Sequence, residues 1–140
     1  MRLFHYKLIE FLPRQQLLSQ WRELNSIYKK QDNHILINYI YDYDIEDLFN
    51  YSVIVVNELI KRGYKHNLKN FCMFFDEREF YGLSIVKGKL ELWNKEKPFK
   101  KHHDSEYLKI CCWNLYEKYL RGQKGFTPEA IKFIKEKGEI

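Results

Sequence analysis

From Pro13 onward the apolar positions fall into a helical rhythm. Leu17, Trp21, Leu24 and Tyr28 recur at i, i+4, i+7 and i+11, the spacing of one buried stripe. Pro13 suits the N1 position, where a missing N–H costs nothing. The opposite face carries Gln16, Ser19, Gln20, Glu23, Ser26 and Lys30, so residues 13–30 predict an amphipathic helix. A second helix starts at Asp44, an N-cap residue with Glu46 and Asp47 well placed in the first turn. Ile45, Leu48, Phe49, Ser52, Val56, Leu59 and Ile60 share its inner face, which Val53 to Val55 widen, and Gly63 suits its C′ position. So broad an apolar face belongs at the centre of the domain.

A third helix is expected over Asp104 to Arg121, with Leu108, Cys111, Cys112, Leu115 and Tyr119 inward and Gly122 ending it. Thr127-Pro128-Glu129 opens a short fourth, an N-cap followed by proline at N1. Between them, Ser84-Ile85-Val86 and Leu90-Glu91-Leu92 flank Lys87-Gly88-Lys89, predicting a small hairpin near 83–93. The fold class is all-α: a small single-domain bundle of three main helices plus a short C-terminal helix, spanning 1–140. Residues 2–12 are apolar and irregular, an arm rather than a periodic element.

Composition narrows the function classes. The 140 residues are 45% hydrophobic and 17% aromatic, enough for a self-sufficient core. The first ten residues carry Arg2, His5, Lys7 and Glu10, which does not fit a secretory leader, and no apolar run approaches membrane-spanning length. Cys72, Cys111 and Cys112 are odd in number and two are adjacent, so reduced thiols in a cytoplasmic protein are expected. Net charge is +5, unevenly spread: residues 1–30 carry +4, residues 31–93 carry −3 and residues 94–140 carry +4. Two basic ends converging on one face would attract a polyanion such as DNA; a lysine-rich solvated surface accounts for the same charges equally well.

His102-His103 and Cys111-Cys112 match no zinc spacing, and both cysteines fall on an apolar helix face, so core packing is the better account. Trp113, Tyr116 and Tyr119 interleave with Lys118 and Arg121, a pattern that stacks on unpaired bases but that bundles also use as core and rim. Tyr119 is read as core; the other two stay open. Glu23, opposite the first helix's apolar stripe, is by itself an ordinary solvated charge.

A family resemblance changes that weighing. Leu12, Gln15, Leu17, Trp21, Arg22, Glu23 and Leu24, preceded by the apolar arm, resemble the first helix of the phage-type pyrimidine-dimer DNA glycosylases, the endonuclease V family. Ile40-Tyr41-Asp42 and Glu58-Leu59-Ile60-Lys61-Arg62-Gly63-Tyr64 resemble that family's central helix, and Glu117-Lys118-Tyr119 is a weaker third match. The resemblance covers residues 1–64 well, 102–121 loosely and 65–101 hardly at all. It implies a glycosylase with abasic-site lyase activity on damaged double-stranded DNA, with no cofactor, no metal and no membrane, acting as a monomer.

The implied catalytic pair is the N-terminal amine and Glu23. An α-amine with a pKa near 7.7–8.0 is roughly one-tenth neutral at pH 7, several hundredfold more than a lysine, and can attack a sugar C1′. Three departures from the family pattern stand out. Arg2 follows the initiator and is expected to keep Met1 in place, so the amine is that of Met1, one residue farther out. Gln16 stands where the family has a histidine, and the family's aromatic tail is replaced by the helix after Thr127. Candidate DNA contacts are Arg2, Arg14, Gln16, Arg22, Lys29, Lys118 and Arg121. The alternative is a non-catalytic DNA-binding protein that keeps the fold and the basic face.

Overall fold

The computed structural model describes residues 2–140, and Met1 lies outside the described residues. After a 3-10 turn at Tyr6–Phe11 come α1 (Arg14–Lys29), a second 3-10 turn (Asn38–Asp42), α2 (Ile45–Lys61) and α3 (Lys69–Glu77). The two-residue strands β1 (Ile85–Val86) and β2 (Lys89–Leu90) precede α4 (Ser105–Leu120) and α5 (Pro128–Gly138). The domain is all-α with one small antiparallel hairpin pairing Ile85 with Leu90 and Val86 with Lys89. Lys87 and Gly88 both take positive φ, the conformation a two-residue hairpin turn demands. The side-chain amide of Asn57 on α2 donates to the Leu90 carbonyl and accepts from its N–H, both at 2.9 Å, tying the hairpin to the central helix.

The expected caps hold with small adjustments. Pro13 stands at the N-cap of α1 rather than N1, shifting the helix start by one residue. Asp44 caps α2 by position, without a side-chain bond. Asp104 and Thr127 each accept from a backbone N–H in the first turn of their helices, Tyr107 and Ala130. Gly63 ends α2 at φ 72°, and the Tyr64 N–H returns to the Leu59 carbonyl.

One helix was not legible beforehand. α3 has nine residues and buries Phe71, Phe74 and Phe75, an i, i+3, i+4 set too short to display a period. Those rings meet Tyr28 of α1 and Phe49 of α2 at centroid distances of 5.2 to 6.0 Å, forming the aromatic half of the core. Among the described residues no helix is long and apolar enough to cross a membrane.

Two placements correct the periodic reading. Gln20, expected on the solvated face of α1, is only 3% exposed, because the arm packs over it. Tyr119, expected inward on α4, is 40% exposed; it lies past the last buried turn and rests on Tyr116 and Phe126 at the rim. Cys111 and Cys112 are fully buried, as packing predicts. The two basic ends do come together. Phe11 stacks on Phe133 at 4.3 Å, the Gln16 amide donates to Gln123, and the Tyr6 N–H donates to His103.

Candidate active site

Residues 2–5 have no regular structure and no neighbouring strand, yet Leu3, Phe4 and His5 are buried. Their peptide groups must therefore find partners among side chains. The Gln20 amide donates from Nε2 to the Arg2 carbonyl and accepts at Oε1 from the Phe4 N–H, both at 3.0 Å. The Tyr51 hydroxyl donates to the Phe4 carbonyl at 2.7 Å, and the Tyr107 hydroxyl to the Leu3 carbonyl at 2.5 Å. Helices α1, α2 and α4 thus each hold part of the arm.

On α1, Gln16, Ser19, Gln20 and Glu23 form a polar stripe at i, i+3, i+4 and i+7. It faces Asn114 and Lys118 on the C-terminal half of α4. With Arg2 and Phe4 of the arm, these side chains line a cleft of about 210 Å³. Glu23 is half-buried, and its Oε1 is buried with no hydrogen-bond partner among the described residues. Burial raises its carboxyl above the usual carboxylate value, and the Asp32 carboxylate, in the loop after α1, adds to the shift. Such an acid gives up its proton less readily than a free carboxyl and, once ionised, sits close to any cation that forms in the cleft.

A second polar cluster lies behind the arm. The His5 Nε2–H donates to the His103 carbonyl at 2.8 Å and its Nδ1 accepts from the Lys7 N–H at 3.1 Å. His103 accepts from the Tyr6 N–H at Nδ1 and pairs through Nε2 with the Tyr39 hydroxyl at 2.7 Å. Both rings use Nδ1 as an acceptor, which requires the neutral form. Burial pushes His5 down to about 4 and His103 to about 3.

Four of the expected site residues meet in the cleft: Arg2, Gln16, Glu23 and Lys118. The others do not. Arg14 lies over the Tyr64 ring at 5.0 Å, and Arg121 pairs with Glu117 at 3.4 Å on the exposed end of α4. Arg22 is exposed beside Glu23 but does not line the cleft. Lys29 edges a separate hollow of about 430 Å³ with Tyr41 and Arg78. A third hollow, of about 500 Å³, sets Lys7, Lys97 and Lys100 beside Asp104 and Glu106, with His5 and His103 in its wall. Neither larger hollow contains Glu23. Sequence reasoning missed Phe4 and Asn114, whose neighbourhood depends on a fold contact between arm and α4 that no local pattern announces. It misassigned Gln20, although an i, i+3 relation to Glu23 was already visible.

Residues 1–71 match the family model of the pyrimidine dimer DNA glycosylases. No curated protein and no solved structure matches the chain. The matched segment contains the arm, all of α1 and all of α2, hence every cleft residue except Asn114 and Lys118.

Proposed function

The chain belongs to the pyrimidine dimer DNA glycosylases, and we propose that it excises damaged bases from duplex DNA and cleaves the resulting abasic site through the Met1 amine and Glu23. The observation that carries this reading is the Glu23 carboxyl: half-buried, with one oxygen buried and unpaired among the described residues, in a cleft walled by Arg2 and Lys118. A buried carboxyl oxygen left without a hydrogen-bond partner among the described residues is poor design for stability and suits a group reserved for substrate.

In the proposed reaction the neutral amine attacks C1′ of the damaged nucleotide. The new N–C1′ bond forms as the glycosidic C1′–N bond breaks and the base leaves with a proton. Protonated Glu23 donates to the sugar ring oxygen as the ring opens to the imine. Its carboxylate then steadies the imine cation and accepts the C2′ proton, and β-elimination breaks the C3′–O bond to the phosphate. Arg2 and Lys118 would hold the flanking phosphates with Gln16 beside them, and a kinked duplex with an extruded nucleotide would bring C1′ into reach. Gln16 supplies a hydrogen bond but no charge.

The test is borohydride trapping on abasic and dimer-containing duplexes, with mass analysis of the adduct. The expected adduct maps to the Met1 amine, and acetylating that amine abolishes both base release and trapping while DNA binding falls only slightly. An adduct on a lysine overturns the assignment of the nucleophile. Intact DNA affinity without any adduct favours the non-catalytic DNA-binding alternative.

A further inference from the structure

An extended segment normally satisfies its backbone against a neighbouring strand. Here residues 2–4 have none, and three side chains take its place. Gln20 bridges the Arg2 carbonyl and the Phe4 N–H, which is how one residue of a parallel strand would pair across from Leu3. Tyr51 donates to the Phe4 carbonyl and also lies 3.1 Å from Gln20 Oε1, so the two side chains brace each other. Both are essentially buried, at 3% and 0% exposure. Tyr107 completes the set at the Leu3 carbonyl and lies under the Arg2 guanidinium at 5.9 Å.

Gln20 also stands three residues before Glu23, on the same face of α1, and lines the same cleft. We infer that Gln20, braced by Tyr51, is a positioning residue: its amide sets the register of the arm against α1 and so sets the distance between the terminal amine and Glu23. The inference rests on the proposed chemistry at that amine. Its physical basis is covalent reach. Fixing the Arg2 carbonyl confines the amine of the preceding residue to within about 5 Å of the Arg2 Cα, whatever that residue's own conformation. A slip of the arm by one residue would carry the amine on the order of 3.3 Å along the cleft, a whole strand rise. Gln20 does not touch the reacting atoms; it acts through the backbone it holds.

The experiment compares wild type, Gln20→Glu, Gln20→Leu and Tyr51→Phe in single-turnover borohydride trapping on an abasic duplex, with duplex affinity measured in parallel. Gln20→Leu should slow trapping roughly tenfold to a hundredfold at saturating DNA, the scale by which an ångström of misplacement slows a positioned reaction. Gln20→Glu keeps the acceptor for Phe4 but loses the donor to Arg2, so it should fall between. Affinity should hold, giving a rate effect without a binding effect. Amide exchange at Phe4 should accelerate in step with the loss of rate, a readout independent of catalysis. Tyr28→Phe controls for lost stability. It removes a comparable buried hydroxyl bond, to Ser52, two helical turns farther along α1, and should leave trapping unchanged. Trapping at the wild-type rate in Gln20→Leu overturns the positioning role. Equal slowing in Tyr28→Phe also overturns it, by making the effect one of stability. A wild-type chain that never traps, with Phe4 still protected, overturns the underlying reaction instead and leaves the clasp a purely structural device.

Discussion

The arm separates two polar clusters that the same stretch of sequence helps to build, and they are opposites. Behind it, His5 and His103 have found partners for the ring nitrogens they bury, the Tyr39 hydroxyl among them, and the histidines are held neutral by the bonds they accept. In front of it, Glu23 keeps a buried oxygen without a partner among the described residues, in a cleft flanked by cations. Histidine is the more usual acid–base residue, yet here it is the structural one. Bonding rather than residue type decides: a satisfied polar group specifies packing, whereas an unsatisfied one facing a cleft remains open to substrate.

The sharpest way to break that contrast is at Glu23. Glu23→Gln preserves shape while removing charge and proton transfer, so base excision should fall about a hundredfold or more with duplex affinity unchanged. Its folded pKa is raised, so the folded state holds extra protons between the ordinary value of 4.5 and the raised one, and stability declines as pH climbs through that window. The same substitution should therefore raise the melting temperature slightly at neutral pH, since solvent screens most of the penalty on a half-exposed group. Full activity in Glu23→Gln would reduce the residue to a solvated helical charge.

The cluster behind the arm should answer in stability alone. Tyr39→Phe strands the buried His103 nitrogen and should cost about 1–3 kcal/mol in urea unfolding, with excision unchanged at a permissive temperature. Acid should act on the same bonds. His5 and His103 are lowered from 6.5 to about 4 and about 3, so the unfolded chain binds more protons below 6.5. Stability is then fully present above that pH and is lost as pH falls toward 4 and 3. A urea midpoint flat from pH 7 to 4 would contradict this.

The smallest effect concerns the cations. Lys118 and Asn114 line the Glu23 cleft from one flank of α4, while Ser105 and Lys109 line the lysine-rich hollow from the other. Lys118→Ala should reduce the log–log salt slope of duplex binding by about 0.9, the signature of one lost phosphate contact. Lys97→Ala, in the hollow that His5 and His103 help to wall, should leave the slope nearly unchanged. Equal slopes would mean that charge, rather than the cleft, organises DNA binding.

The long elements could be read from residue order because their information is local. The buried stripe of α1, the broad apolar face of α2, the caps at Asp104 and Thr127, the glycine after Lys61-Arg62 and the hairpin turn are all set within a few neighbouring residues. Glu23 was legible only through the motif around it, since helical position alone makes it an unremarkable charge. α3 escaped because nine residues with three buried phenylalanines are too few for a period to emerge, and it is stabilised by rings from α1 and α2. Which polar residues of α1 stay wet was likewise not local: Gln20 and Glu23 share a face, but the arm folds over one and leaves the other open. Sequence alone determined α1, α2, α4 and α5 and the caps at Asp104 and Thr127. Only tertiary structure decided that the arm crosses that face, that Asn114 and Lys118 close the cleft, and that the histidines are sealed away. Those outcomes depend on contacts between residues up to about a hundred positions apart, whose partners no local propensity specifies.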